Sequence, residues 1–130
     1  MELTLDRDVL LKSLSHAYGV VEKKSTVPIL SNVLIEAKDK KVKITATDLD
    51  IIYSVEVPAI DIKKEGSTTT SVGIFYDILK KLAPNSKIEL SLIDQKKIKL
   101  ESGNSRFNLL CISSEDFPIS NEDFKIKTFE

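Results

Sequence analysis

Six short stretches of this chain alternate apolar with polar residues at a period of two. They fall into two groups of three, each preceded by a segment whose apolar residues recur at helical spacing. That pattern leaves few folds open. Every strand has one face to bury and every helix one stripe, and both are satisfied when helices lie on one side of antiparallel sheets. In the first group Leu3-Thr4-Leu5 reads as an opening strand. Asp6 is a good N-cap for a helix over Arg7 to Tyr18, whose stripe is Leu10, Leu14, Ala17, Tyr18 and Val21, with Gly19 as its stop. A loop over Val20 to Ile29 leads to strands over Asn32 to Lys38, Lys41 to Thr47 and Ile51 to Val57, turned by Asp39-Lys40 and Asp48-Leu49-Asp50. The second group repeats the order. A Thr-rich strand over Ser67 to Val72 precedes a helix over Ile74 to Ala83, with Phe75, Ile78, Leu79 and Leu82 as its stripe. Strands over Lys87 to Ile93, Lys96 to Glu101 and Ser105 to Cys111 follow. The expectation is an α+β sandwich of two βαβββ units with two helices on one face. The repeat is one of element order and not of residue identity.

At 130 residues the chain fits one domain. No apolar run approaches the roughly 18 residues of a membrane span, so no membrane partner is expected. A net charge of −1 argues against a protein that grips nucleic acid through a wholly basic surface. Of the 19 basic residues only Arg7 and Arg106 are arginine, which leaves 17 lysines. Guanine edges are read best by the arginine fork, whereas lysine is a mobile point charge, so any nucleic-acid contact here is a local patch. The lone Cys111 cannot form an internal disulfide, which suits a reducing cytoplasm.

The sequence offers no acid-base or nucleophilic pair, and the chain reads as non-catalytic with no cofactor. His16 is the only histidine and reads as an ordinary helix residue. Cys111 alternates with Phe107 and Leu109 and reads as a packed small hydrophobe. Asp48 and Asp50 read as turn carboxylates, since the glycine and distal glutamate of a calcium loop are missing. Lys23 and Lys24 in the loop after the first helix, and Lys12, Lys80 and Lys81 on the polar faces of the two helices, have two readings. One is solvated surface. The other is a modest positive strip for phosphates, without interleaved aromatics and so without a stacking platform for single strands. Two functions therefore stand side by side, a DNA-contacting domain and a protein-interaction module of the same α+β fold.

Several segments, in order, resemble the first domain of the bacterial DNA sliding clamp, the beta subunit of DNA polymerase III. They are LTLDRDVLLKSL, TVPILSNVLIEA, KITATDLDI, FYDILKKL, SGNSRFNLL and EDFP, which together cover nearly the whole chain. The resemblance implies a DNA-clamp fold in which three such domains per protomer and two protomers form a ring. Twelve helices line the hole around duplex DNA, and the ring tethers the replicative polymerase. It implies a DNA contact at Lys24, with Lys23 beside it, and Lys12 and Lys80 of the helix strip are assigned to the same contact. It implies a homodimer interface at Phe107 and Leu109 with Arg106 at the rim. Ile74 is assigned to the same interface, although relatives can carry basic residues where this chain has Gly73 and Ile74. It also implies that the polymerase III alpha subunit and the clamp loader bind through later domains. The clamp domain is expected over residues 1–118. Residues 119–130 are expected to be a linker followed by the opening strand of a second domain, because Phe124 to Glu130 alternates again.

Overall fold

Asp6 closes the first strand, β1 (Glu2–Asp6), and opens the first helix, α1 (Arg7–Val20), with no loop between them. The computed structural model describes residues 1–21, 31–48 and 51–117. The Asp6 backbone is extended, and its carboxylate accepts from the Asp8 N–H at 3.1 Å, supplying one of the partners a helix start lacks. Leu10, Leu14 and Ala17 are buried as the stripe requires. The helix runs past Gly19 and ends where Val21 turns extended, its N–H bonded to the Ala17 carbonyl. A glycine in the last turn weakens a helix by up to about 1 kcal/mol relative to alanine, which packing at Ala17 and Val21 offsets.

Strands β2 (Asn32–Lys38), β3 (Lys41–Thr47) and β4 (Ile52–Pro58) form an antiparallel meander, with Ile35 opposite Ile44 and Ile44 opposite Val55. Asp39 and Lys40 both sit at positive φ, 54° and 65°, as a tight two-residue hairpin demands. The Glu65 carboxylate accepts from the Asp39 N–H at 3.0 Å. A strand absent from the sequence reading follows, β5 (Asp61–Lys64), which pairs with β1. Then come β6 (Gly66–Ser71) and α2 (Val72–Lys81). The second helix starts two residues earlier than its apolar spacing suggests, because the Ser71 hydroxyl accepts from the Ile74 N–H and caps it. Strands β7 (Lys87–Asp94), β8 (Lys97–Ser102) and β9 (Ser105–Ile112) complete the second meander, and a short 3-10 turn covers Ser114–Asp116. The proposed domain limit at residue 118 and the strand assigned to residues 124–130 lie outside the described residues.

The strands form one nine-stranded antiparallel sheet in the order β4-β3-β2-β6-β9-β8-β7-β1-β5. Each unit thus lends its opening strand to the other, β1 lying against β7 and β6 against β2. The two helices pack against each other on one side, and Leu10, Leu14, Val72, Phe75 and Leu79 share a core with Val33, Ile44, Ile88 and Ile98. The halves of the sheet join between β6 and β9 through two residue pairs, Thr69 with Ile112 and Thr70 with Cys111. Buried hydroxyls reinforce so short a join. Thr69 donates to the Ile112 carbonyl at 2.7 Å and accepts from Asn32 Nδ2 at 3.1 Å, and Thr70 donates to the Leu110 carbonyl at 2.8 Å. Thr69→Val keeps the shape of this side chain but leaves the buried Asn32 amide and the part-buried Ile112 carbonyl without this partner, so it should cost about 1–3 kcal/mol in chemical denaturation, with Thr69→Ser closer to the unaltered protein. Equal stability of the valine variant would contradict this account of the join.

Candidate functional site

The helix layer presents its polar side away from the sheet. Lys12 on α1 and Asp77, Lys80 and Lys81 on α2 are exposed there. Lys23 and Lys24 lie outside the described residues. The helices run antiparallel, since the start of α1 meets the end of α2. Arg7 makes that junction. Its Nε donates to the Leu79 carbonyl at 2.9 Å, placing a cation at the negative end of α2, and its Nη1 reaches the Asp8 carboxylate at 2.9 Å. Asp8 also accepts from the Asn85 N–H at 3.2 Å. Sequence reasoning left Arg7 without a role, because a bond to a carbonyl 72 residues away leaves no local signal.

At the other end of the seam Tyr18 of α1 stacks on Tyr76 of α2, ring centroids 5.3 Å apart and planes 29° from parallel. The Lys80 ammonium stands 4.6 Å from the Tyr76 centroid and 3.4 Å from Asp77. The expectation of a lysine strip free of aromatics is therefore corrected. The two tyrosines sit fourth in one apolar stripe and outside the other, and only the pairing of the helices brings them together. On the outer flank of α1, His16 meets the Tyr53 ring edge-on at 6.0 Å, and burial pushes the Tyr53 phenol up.

The residues assigned to a protomer interface are dispersed by burial. Along β9, Phe107, Leu109 and Cys111 point to the core and Arg106, Asn108 and Leu110 away from it. Leu109 is a core residue at 4% exposure, Phe107 is half-buried, and Leu110, which the sequence reading passed over, is 76% exposed. Arg106 is held within the chain by Glu101, Nε to Oε2 at 3.0 Å. Ile74, at the start of α2, is 57% exposed. From Ser105 to Leu109, β9 pairs with β8 on one side, while β6 reaches it only beyond, at Cys111 and Ile112. The backbone edge of that half-strand is thus open among the described residues.

Cys111 is buried, and loss of solvent pushes its thiol up, away from the reactive thiolate. Among the described residues no three His, Cys, Asp or Glu side chains gather as a metal site, and no helix is long and apolar enough to cross a membrane. A hollow of about 690 Å³ between the end of α2 and the ends of β7 and β8 is walled by Lys81, Lys87, Glu89 and Glu101 among others.

Comparison with known proteins gives a consistent result. The family described as DNA polymerase III beta subunit, N-terminal domain, matches residues 1–121. A beta sliding clamp of Caulobacter vibrioides is 38% identical over 125 residues, covering 95% of this chain and 33% of that protein. One of Pseudomonas putida is 34% identical over 122 residues, covering 94% and 33%. The solved sliding clamp, DNA polymerase III subunit beta, of Bartonella birtlesii superposes with a TM-score of 0.86 at 40% identity, over 92% of this chain and 34% of that one. The chain spans about a third of the length of the curated relatives it matches.

The Arg7–Asp8–Asn85 junction has a pH signature. The Arg7 guanidinium, and after it the Asn85 N–H, hold the Asp8 carboxyl below its ordinary 3.8. A lowered folded-state value means the contribution is present above pH 3.8 and is lost as pH falls through the lowered value. An NMR titration should give a midpoint for Asp8 below 3.8 that rises in Arg7→Gln; an unmoved midpoint would remove Arg7 as the cause.

Proposed function

The chain belongs to the DNA polymerase III beta subunit N-terminal domain family, and on that premise we propose that it is one domain of a processivity clamp that encircles duplex DNA and tethers a replicative polymerase. The observation that carries the reading is the side-by-side placement of α1 and α2 on one side of the sheet with Lys12, Lys80 and Lys81 exposed. In a ring of such domains this side is the inner wall and the sheet the outer scaffold. Enclosure then replaces affinity, which reconciles DNA binding with a net charge of −1. Few lysines suffice, their contacts are weak and salt-sensitive, and sliding stays fast. Lys24 and Lys23 are proposed, from the resemblance alone, as further contacts to the same duplex.

The reading also assigns the closing of the ring. The open edge of β9 suits pairing with a strand of a second protomer, with half-buried Phe107 as anchor and Leu109 supporting it from the core, and Ile74 and Arg106 are assigned to the same interface. Arg106 then exchanges Glu101 for a carboxylate of the partner. The polymerase III alpha subunit and the clamp loader act through other domains of the protein, in the cytoplasm where the chromosome lies.

Two measurements test this. Full-length protein loaded onto circular duplex should be retained and should escape once the circle is cut; equal retention on both would instead favour an interaction module without DNA function. Phe107→Ala should weaken protomer association by a few kcal/mol, on the order found when an interface anchor is truncated, with an unchanged dimerisation constant withdrawing the interface assignment.

A further inference from the structure

An exposed lysine on a helix ordinarily samples many rotamers, and a phosphate that binds it must first order it. Lys80 differs. Helical side chains lean toward the N-terminus, so Lys80 folds back over Tyr76 and Asp77, four and three residues earlier. Its ammonium is held by the face of one and the carboxylate of the other. The Tyr76 ring is in turn held by Tyr18 across the seam. Tyr18 also lies over the start of α2, where a β-carbon added at Gly73 would stand in ordinary contact with Tyr18 Cε1 at 3.5 Å. Lys12 and Lys81 have no such support among the described residues.

Resting on the reading of the helix layer as a wall facing DNA, we propose that Tyr76, backed by Tyr18, is a positioning residue that holds Lys80 as a fixed phosphate contact for duplex DNA. Both partners of the Lys80–Asp77 pair are more than half exposed, so the pair is screened and readily exchanged. An arriving phosphate oxygen replaces Asp77 while the ammonium stays on the ring, because a face-on cation keeps its N–H donors for oxygen. The occupant is a duplex backbone and not an unpaired base. A ring that already carries a stacked neighbour and a cation has little face left to stack on.

The test is a salt series, with full-length protein titrated against a short fluorescent duplex and followed by anisotropy. Lys80→Gln should weaken binding and lower the slope of log K against log salt by about 1 for each Lys80 that meets a phosphate. Tyr76→Leu should reproduce that loss, Tyr76→Phe should keep the unaltered slope, and Tyr76→Leu added to Lys80→Gln should change nothing more. A Tyr76→Leu slope equal to that of the unaltered protein, or a Tyr76→Phe loss equal to that of Tyr76→Leu, overturns the inference. Should Tyr76→Leu fail to fold, an unchanged slope in Lys80→Gln overturns it as well. Absence of salt-dependent duplex binding by the unaltered protein overturns the DNA reading itself and the inference with it.

Discussion

Neither half of this fold closes its own sheet, and the rest of the architecture follows from that constraint. Strand β1 lies between β5 and β7, with Leu3 opposite Leu90 and Leu5 opposite Ile88, so unit one completes the sheet of unit two. Strand β6 returns the exchange by pairing with β2. Each lent strand runs straight into its helix, Asp6 to Arg7 and Ser71 to Val72. A helix joined without a loop must go where its strand goes. The exchange therefore brings α1 and α2 together over a single core and sets them antiparallel. Arg7 then fastens one end of the helix pair and the Tyr18–Tyr76 stack the other.

The parts legible in the sequence are those whose information is local. Period-two alternation located six strands, helical spacing located both helices, and Asp6 announced its cap. The misses have physical causes. Strand β5 is four residues long and mostly exposed, so it carries almost no alternation, and it exists because β1 offers it an edge. The start of α2 hid in the run Ser67 to Ser71, where the same residue types serve as buried strand hydroxyls and as a helix cap. The hairpin at Asp39-Lys40, by contrast, was announced by its aspartate, although it places a lysine at positive φ with no glycine present. The site was legible only as a set of lysines. Its organisation depends on residues far apart in the chain, Arg7 with Leu79 and Tyr18 with Tyr76, which spacing within one element cannot reveal. Along β9, alternation did separate inward from outward residues, and the resemblance then chose the inward pair. Burial leaves Leu109 to the core and exposes Leu110 in its place.

Charge in this molecule is arranged to be available without being strong. Arg106 is engaged by Glu101, Arg7 by Asp8 and the Leu79 carbonyl, and Lys80 by Asp77. Both arginines are thus committed within the domain, and the exposed helix lysines carry what faces outward. If the helix layer is the DNA-facing wall proposed above, that division has a physical sense. Many strong contacts would trap the duplex at one register, whereas single lysines exchange phosphates at little cost in free energy.

Rigidity and weakness are not in conflict on such a wall. A wall of wholly mobile lysines would have to order a side chain at each contact, which opposes binding without adding selectivity for any position along the duplex. A lysine already folded onto a ring loses less on meeting a phosphate, and its exposed acidic neighbour takes the ammonium back when the phosphate leaves. The contact is then preorganised on the protein side and shallow on the DNA side. The seam between two helices is where such a side chain can be supported. There, among the described residues, a ring from one helix is backed by a ring from the other, and the exchange of opening strands is what creates the seam.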